Sequence, residues 1–152
     1  MKLDPVQKTL LGLLQKDSSL STQELAEKAG LSSSPCWRRV RELEEAGIIR
    51  AYVALLDRKK LGLDTCVWVR VKLKKHGAGV LDRFESAVKS CDQVVECYEL
   101  LGEADCLLKL YLPNLDALVG FMHDFLYKIP EVEVTHSTVA LREIKNETAL
   151  PL

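Results

Sequence analysis

The stretch Leu31-Ser32-Ser33-Ser34-Pro35-Cys36-Trp37-Arg38-Arg39-Val40-Arg41-Glu42-Leu43-Glu44-Glu45-Ala46-Gly47 predicts one short helix with two unlike faces. Serines and a proline suit a helix start, and Gly47 suits a left-handed stop. At about 100° per residue, the apolar positions share one face: Cys36, Val40, Leu43 and Gly47. The opposite face carries Ser34, Arg38 and Arg41. Hydroxyls and cations therefore share the outward stripe.

Two further helices are predicted upstream of this stretch. Asp4 and Pro5 supply a cap and a helix-starting proline, and the apolar spacing after them carries a helix to near Asp17. Ser21 and Glu24 form a capping box for a second, short helix that ends at Gly30. The turn of about three residues that follows is the connection of a helix-turn-helix. Residues 48–56 are apolar and β-branched and predict a strand or a small wing.

The second half of the chain follows a different pattern, after a charged connector at 57–63. Apolar spacing predicts strands at 65–74, 94–101, 106–112 and 132–141, with helices at 79–91 and 115–126. This β-α-β-β-α-β order is ferredoxin-like, with both helices on one face of a four-stranded antiparallel sheet. We therefore predict an α+β protein with a winged helix-turn-helix domain at 1–56, a linker at 57–63 and a ferredoxin-like domain at 64–152.

The other face of this sheet has no predicted cover within the chain. Trp68 belongs to that face, and Tyr98 and Tyr111 are further candidates. A large exposed apolar surface usually marks an association site. We therefore expect a second copy of the chain to cover it.

Composition limits the classes of function. The 152 residues are 47% hydrophobic, and 21 Lys and Arg against 22 Asp and Glu give a net charge of -1. Any binding of a polyanion must therefore be local. The first 56 residues carry only +1, and their basic signal is a cluster in the third helix. Without an apolar run of roughly 20 residues or a secretory signal, we expect a cytoplasmic protein.

Cysteine and histidine spacing gives no metal or catalytic pattern. The five cysteines form no C-x-x-C pair, which favours reduced core or strand residues. His76, His123 and His136 have no partner at metal-ligand spacing, and no phosphate loop or Ser/His/Asp set is present. We expect neither an enzyme nor a metal or other cofactor.

Several motifs are similar to those of the Lrp/AsnC family of bacterial and archaeal transcription regulators. They are Leu3-Asp4 with 10–17, 31–49, Gly102-Glu103-Ala104-Asp105, Glu143-Ile144-Lys145 and 148–152. The resemblance covers nearly the whole chain. It implies an N-terminal DNA-binding domain and a C-terminal domain that dimerises, assembles further into tetramers or octamers and often binds an amino acid between dimers.

Candidate DNA contacts follow from the third helix and the start of the second. They are Thr22, Gln23, Ser32, Ser33, Ser34, Pro35, Trp37, Arg38, Arg39 and Arg41. Arginine can bridge guanine O6 and N7, and serine can reach phosphates or bases. Arg39 lies off the outward stripe, which leaves phosphate contact or packing. The glutamates at 42, 44 and 45 repel phosphate, so only the first half of the helix should meet double-stranded DNA.

Two other interpretations of these surfaces remain. The basic face could be merely solvated, or the helix-turn-helix could dock protein partners in a sensing or scaffold module. RNA binding on the open sheet is disfavoured because strand 106–112 lacks the glycine and paired aromatic residues of an RNA-binding strand.

The family resemblance also implies an effector pocket. Its candidate residues are Tyr98, Gly102, Glu103, Ala104, Asp105, Leu115, Thr138, Val139 and Ala140. The turn 102–105 is also typical of an ordinary hairpin. In the functional interpretation, loop amides take a carboxylate and the Asp105 side chain pairs with an ammonium, as an α-amino acid requires. The apolar lining favours an effector with a neutral side chain. Cys106 stands where many relatives have Tyr.

Overall fold

The computed structural model describes residues 2–74 and 78–152, which form two compact units. One unit contains the chain up to Leu55 together with Ile144–Leu152, and the other is Leu56–Glu143. The C-terminal segment therefore groups with the helix-turn-helix. This division differs from the predicted boundary, which assigned all of 64–152 to the ferredoxin-like domain. His76 lies outside the described residues.

Three helices build the first unit: α1 (Pro5–Lys16), α2 (Thr22–Ala29) and α3 (Ser33–Glu45). The predicted cap of α1 is a full capping box, in which the Gln7 backbone N–H donates to Asp4 Oδ1 at 2.7 Å and the Asp4 N–H donates to Gln7 Oε1 at 3.1 Å. The predicted capping box of α2 is confirmed, and Gly30 ends α2 with φ 67°. The predicted helix-turn-helix is thus present.

A small apolar core fixes these helices. Leu10 of α1, Leu25 and Ala26 of α2, and Cys36 of α3 are buried together. Leu43 of α3 is also fully buried, whereas Val40 is half-buried and Gly47 is exposed. The predicted inner face of α3 is therefore confirmed over its middle turns. Gly47 adopts φ 69°, the left-handed stop that the sequence predicted.

Of the two alternatives predicted for 48–56, a strand or a small wing, the strand is wrong. Residues 50–56 run without strand pairing, although all of them are described. The N–H groups of Ile48 and Ile49 instead donate to the Leu43 carbonyl at 3.0 and 3.2 Å, which caps the C-terminal end of α3. Apolar, β-branched composition gave no pairing because a strand also needs a neighbour with free backbone groups.

The second unit has the predicted β-α-β-β-α-β order. Its elements are β1 (Thr65–Leu73), α4 (Val80–Lys89), β2 (Val94–Glu99), β3 (Cys106–Leu112), α5 (Leu115–Asp124) with a short 3₁₀ turn at Leu126–Lys128, and β4 (Val132–Val139). The sheet is antiparallel with strand order β2-β3-β1-β4. Strand and helix ends differ from the prediction by a few residues.

Alternation along the central strands sets the core of this unit. Val67, Val69 and Val71 of β1 are fully buried and pair with Leu110, Leu108 and Cys106 of β3. Phe84 of α4 and Phe121 of α5 pack on the same face. Both helices therefore cover one side of the sheet, as predicted.

The opposite face carries Trp68, Tyr98 and Tyr111, in agreement with the prediction. It is not wholly bare within the chain, because the Arg58 guanidinium lies 5.0 Å from the centre of the Tyr111 ring. Arg58 also donates to the carbonyls of Leu63 and Asp64, so the connector is folded back on itself just before β1. No helix in residues 2–74 and 78–152 is both long and apolar enough to span a membrane.

Candidate DNA-binding and effector sites

The outward stripe of α3 is exposed as predicted. The side chains of Arg38 and Arg41 are 71% and 54% exposed, and Ser33 and Ser34 lie at the exposed N-terminal end of the same helix. Ser32 is the N-cap but makes no side-chain capping bond. Serine hydroxyls, the first N–H groups of a helix and two guanidinium groups therefore lie together on an exposed, positively polarised surface.

Arg39 has a different role from its two neighbours. Its guanidinium forms an ion pair with the Asp4 carboxylate at the start of α1, and its side chain is only 30% exposed. The hydrogen bond from the Gln7 N–H, followed by that from Arg39, lowers the pKa of Asp4. Of the two roles predicted for Arg39, this contact favours packing of α3 on α1.

Acidic residues occupy the far half of α3 and pair with its arginines. Glu42 lies 3.9 Å from Arg38, and Glu44 lies 3.3 Å from Arg41. Exposed pairs of this kind contribute little and open easily. The charge reversal along the helix therefore leaves its N-terminal half as the part suited to phosphate.

Trp37 lies at the edge of a cavity of about 340 Å³ between the three helices and Tyr52. Arg41 sits 5.9 Å from the centre of the Trp37 ring, and Leu25 and Thr22 of α2 line the same cavity. The Tyr52 hydroxyl donates to Glu44 Oε1 at 2.9 Å. Burial and this hydrogen bond raise the pKa of Tyr52 to about 12. Trp37 is 56% exposed, so it can contact a ligand as well as α2.

The start of α2 presents the two remaining DNA candidates. Thr22 and Gln23 are both exposed, and the Gln23 amide donates weakly to Glu27 at 3.4 Å. The capping box uses the Glu24 N–H, which leaves the first N–H groups of α2 available. These residues lie on the first helix of the helix-turn-helix pair, where phosphate contacts occur.

The turn 102–105 is held firmly to the end of β1. Asp105 Oδ2 accepts the Leu73 N–H at 2.7 Å, and the Asp105 N–H donates to the Val71 carbonyl at 2.9 Å. The pairing of β1 with β3 ends at Val71 and Cys106, so the Leu73 N–H has no β3 residue opposite it, and the register of β1 against β4 shifts at the same point, between Lys72 and Leu73. Lys72 Nζ donates to the Glu103 carbonyl at 3.3 Å. One oxygen of Asp105 is therefore structural.

Sequence reasoning missed Lys72 and Leu73 as parts of this turn. A strand irregularity leaves no composition signal, so nothing in the pattern marked these positions. A cavity of about 350 Å³ adjoins the turn and is lined by Asp105, Glu99, Lys74 and the first residues of α4.

The effector candidates fall into two groups at opposite ends of the sheet. Asp105 adjoins Val71, whereas Val139 pairs with Val67 and the Ala140 N–H donates to the Cys66 carbonyl. At about 3.4 Å per residue, these ends of β1 are roughly 15 Å apart. Leu115 follows the end of β3 that pairs with Thr65 and so belongs to the second group.

Tyr98 belongs to neither of these two groups. It lies on the open face, 52% exposed, with its hydroxyl donating to Glu96 at 2.8 Å. One chain thus does not bring all the predicted pocket residues together.

The described residues contain no group of three or more His, Cys, Asp or Glu side chains that could hold a metal ion. Four of the five cysteines lie in helices or strands, and Cys36, Cys66 and Cys106 are buried. Cys97 is exposed on β2.

These features define a class of protein: a helix-turn-helix unit with an exposed basic stripe, joined to a ferredoxin-like unit with an open sheet face. Comparison with known proteins matches both parts. The family model for a winged helix-turn-helix DNA-binding domain matches residues 3–50, and that for the Lrp/AsnC ligand binding domain matches residues 66–150. The chain belongs to the Lrp/AsnC family and is a transcription regulator of that type.

Relatives extend over nearly the full chain. The glutamate uptake regulatory protein of Zymomonas mobilis is 39% identical over 99% of this chain and 92% of its own length. The leucine-responsive regulatory protein of Escherichia coli is 34% identical over 97% of this chain and 90% of its own. The structure of a Neisseria meningitidis transcriptional regulator in complex with L-Met has a TM-score of 0.95 and 35% identity, covering 99% of this chain and 97% of that one.

Proposed function

We propose that this chain binds double-stranded DNA as a homodimer or larger assembly and that a neutral, apolar α-amino acid bound between copies controls the assembly. The main support for an effector bound between copies is the distance along β1 between the two groups of candidate pocket residues, the turn 102–105 at one end and Val139 with Ala140 at the other. A pocket built from Asp105 and from Val139 and Ala140 needs a second chain to complete it. A ligand in such a pocket binds only the assembled form, so it shifts the equilibrium towards that form.

The chemistry of the two groups supports an amino acid. The turn 102–105 offers backbone amides and the second oxygen of Asp105, while Leu115 and Val139 offer exposed apolar surface. A carboxylate and an ammonium can therefore be bound by the turn and a hydrophobic side chain by the other group. The methionine complex of the Neisseria relative makes methionine the first candidate.

The open sheet face supports dimerisation. Trp68, Tyr98 and Tyr111 lie on it, and Lys109 is placed between them, 5.2 Å from the Trp68 ring and 5.4 Å from the Tyr111 ring. Lys109 also pairs with Glu96 at 2.7 Å, so its charge is already compensated. The aromatic rings give a second copy apolar surface to bury, and the pairing of Lys109 with Glu96 lowers the electrostatic cost of burying that cation.

DNA binding is supported by the exposed half of α3. In a dimer, two such helices meet two half-sites, and this compensates for the charge of only +1 on the first 56 residues. Ser33, Ser34 and Arg38 are proposed as contacts to bases and phosphates, with Arg41 and Trp37 at the edge of the contact. Thr22, Gln23 and Ser32 are proposed as phosphate contacts.

A mobility-shift titration on the DNA upstream of the chain's own gene tests this function. It should be repeated with methionine, leucine and glutamate at two salt concentrations, because phosphate contacts weaken as salt rises. Binding that depends on sequence and changes with methionine or leucine is the expected result. Binding to no DNA under any condition would instead favour a module that docks protein partners.

A thermal-shift screen of the twenty amino acids tests the effector separately, because a ligand that binds only the folded protein raises its Tm. A rise with methionine or leucine and none with glutamate is expected. A larger rise in Tm with glutamate than with methionine or leucine would contradict the proposal that the effector has a neutral side chain.

A further inference from the structure

Cys97 and Cys106 occupy neighbouring strands beside the turn 102–105. Cys97 of β2 pairs with Leu108 of β3, and Cys106 pairs with Glu99. Because directly paired residues point to the same side of a sheet, both cysteines lie on the helix-covered face as diagonal neighbours. Cys106 is 2% exposed, whereas Cys97 is exposed at the edge of the sheet.

The two thiols differ in reactivity. A hydrogen bond with Cys106 lowers the pKa of the Cys97 thiol, against the effects of burial and of the nearby Glu85 carboxylate. The same contact, together with burial, raises the pKa of Cys106. A thiolate is the nucleophilic form of cysteine, and exposure admits an oxidant. Cys97 is therefore the reactive member, and Cys106 is its buried, protonated partner.

We propose that Cys97 and Cys106 are a peroxide-sensitive thiol pair that closes to a disulfide across β2 and β3. The Cys97 thiolate attacks one oxygen of a hydroperoxide, the O–O bond breaks, and Cys97 becomes a sulfenic acid while the peroxide leaves as alcohol or water. Cys106 then gives up its proton as its sulfur attacks the Cys97 sulfur, the S–S bond forms as the S–O bond breaks, and the hydroxide takes up that proton and leaves as water. Two thiols lose two electrons, and the peroxide gains them.

The position of β2 allows this closure. A diagonal pair in a regular sheet is farther apart than a disulfide permits, so one strand must move. β2 is an edge strand with one unpaired side, and its register against β3 already shifts between Val94 and Glu96. β2 can therefore move relative to β3 without breaking backbone hydrogen bonds to any other strand.

The bond would close the hairpin that carries the effector turn. The Leu100 N–H donates to the Asp105 carbonyl at 2.8 Å, just inside the two cysteines. A covalent link there fixes both ends of the turn 100–105. An altered methionine response in the oxidised protein is a consequence that rests on the proposed function, whereas disulfide formation itself does not.

Peptide mapping of the full chain tests the pair. Trypsin and a glutamate-specific protease together place Cys97 in fragment 97–99 and Cys106 in fragment 104–109. Cys91 falls in a third fragment, 90–96. After treatment with about one equivalent of hydrogen peroxide and alkylation of free thiols, most of fragment 97–99 should be linked to 104–109. Dithiothreitol should release it.

Variants distinguish the pair from general oxidation. Cys91→Ser should leave the link intact, and Cys97→Ser should abolish it. Cys106→Ala should instead leave Cys97 as a sulfenic acid that dimedone labels. This last readout needs only Cys97 to react, so it holds even if loss of the buried thiol weakens the fold. Equal oxidation of Cys91 and Cys97, a bond between chains, or Cys97 carried to sulfinic acid in the wild type would overturn the proposal.

Discussion

The Asp105 carboxylate accepts the backbone N–H of Leu73 at 2.7 Å, where the pairing of β1 with β4 shifts by a residue. The same residue was predicted from the family resemblance to hold an effector ammonium. Its two oxygens allow both roles, because only Oδ2 is used by Leu73. A simple deletion of this side chain would therefore mix a structural loss with a functional one.

Two substitutions separate these roles. Asp105→Asn keeps an acceptor oxygen for Leu73 but removes the charge, so we expect near-normal stability and loss of the methionine-induced rise in Tm. Asp105→Ala should also destabilise the second unit by about 1–3 kcal/mol, because the Leu73 N–H loses its partner. Chemical denaturation and calorimetric titration measure the two effects. Unchanged methionine affinity in Asp105→Asn would show that the charge holds no effector.

The ion pair between Arg39 and Asp4 predicts a pH-dependent stability of the first unit. The pKa of Asp4 is lowered from its ordinary value of 3.8, so the stabilisation is fully present above that pH and is lost as the pH falls through the lowered value. Arg39→Ala should lower the Tm at neutral pH. It should also reduce the further fall in Tm that occurs as the pH is lowered. Thermal melts between pH 2 and 6 measure this. Arg38→Ala, which removes an exposed cation from the same helix, is the matched control and should leave the Tm nearly unchanged.

The exposed half of α3 predicts opposite effects of two neighbouring substitutions on DNA affinity. Arg38→Ala should weaken binding by about 1–3 kcal/mol if Arg38 contacts a base. Glu42→Gln should strengthen it about two- to fivefold at low salt, because it removes a repelling carboxylate and frees Arg38 from a pair worth at most ~1 kcal/mol. Fluorescence anisotropy on one operator measures both. Weaker binding by Glu42→Gln would contradict the proposed division of the helix.

The open sheet face predicts a change of assembly. Trp68→Glu removes an aromatic ring and places a charge beside Tyr111 and Lys109, so dimers should dissociate at micromolar concentration. Val119→Glu is the matched control, because Val119 is 56% exposed on α5 and lies away from the open face. Size-exclusion chromatography with light scattering gives the mass. A dimeric Trp68→Glu variant, or a monomeric wild type, would refute this interface.

The sequence predicted those features that depend on contacts close along the chain. Capping residues, glycine stops and apolar periodicity determine local hydrogen bonds and buried faces, so the three helices, the turn at 30–32 and the order of the second unit were all predicted. Residues 48–56 were mistaken for a strand because composition cannot show whether a backbone partner is present.

Sequence alone also defined the charged face of α3 and its reversal at Glu42, since both follow from helical spacing. Only the tertiary structure revealed that Arg39 turns to Asp4, that Asp105 binds Leu73, that Gln15 exchanges two hydrogen bonds with the Leu150 backbone and that Cys97 meets Cys106. These contacts join residues far apart in the chain or depend on strand register. Chain folding, rather than local spacing, brings their atoms within bonding distance.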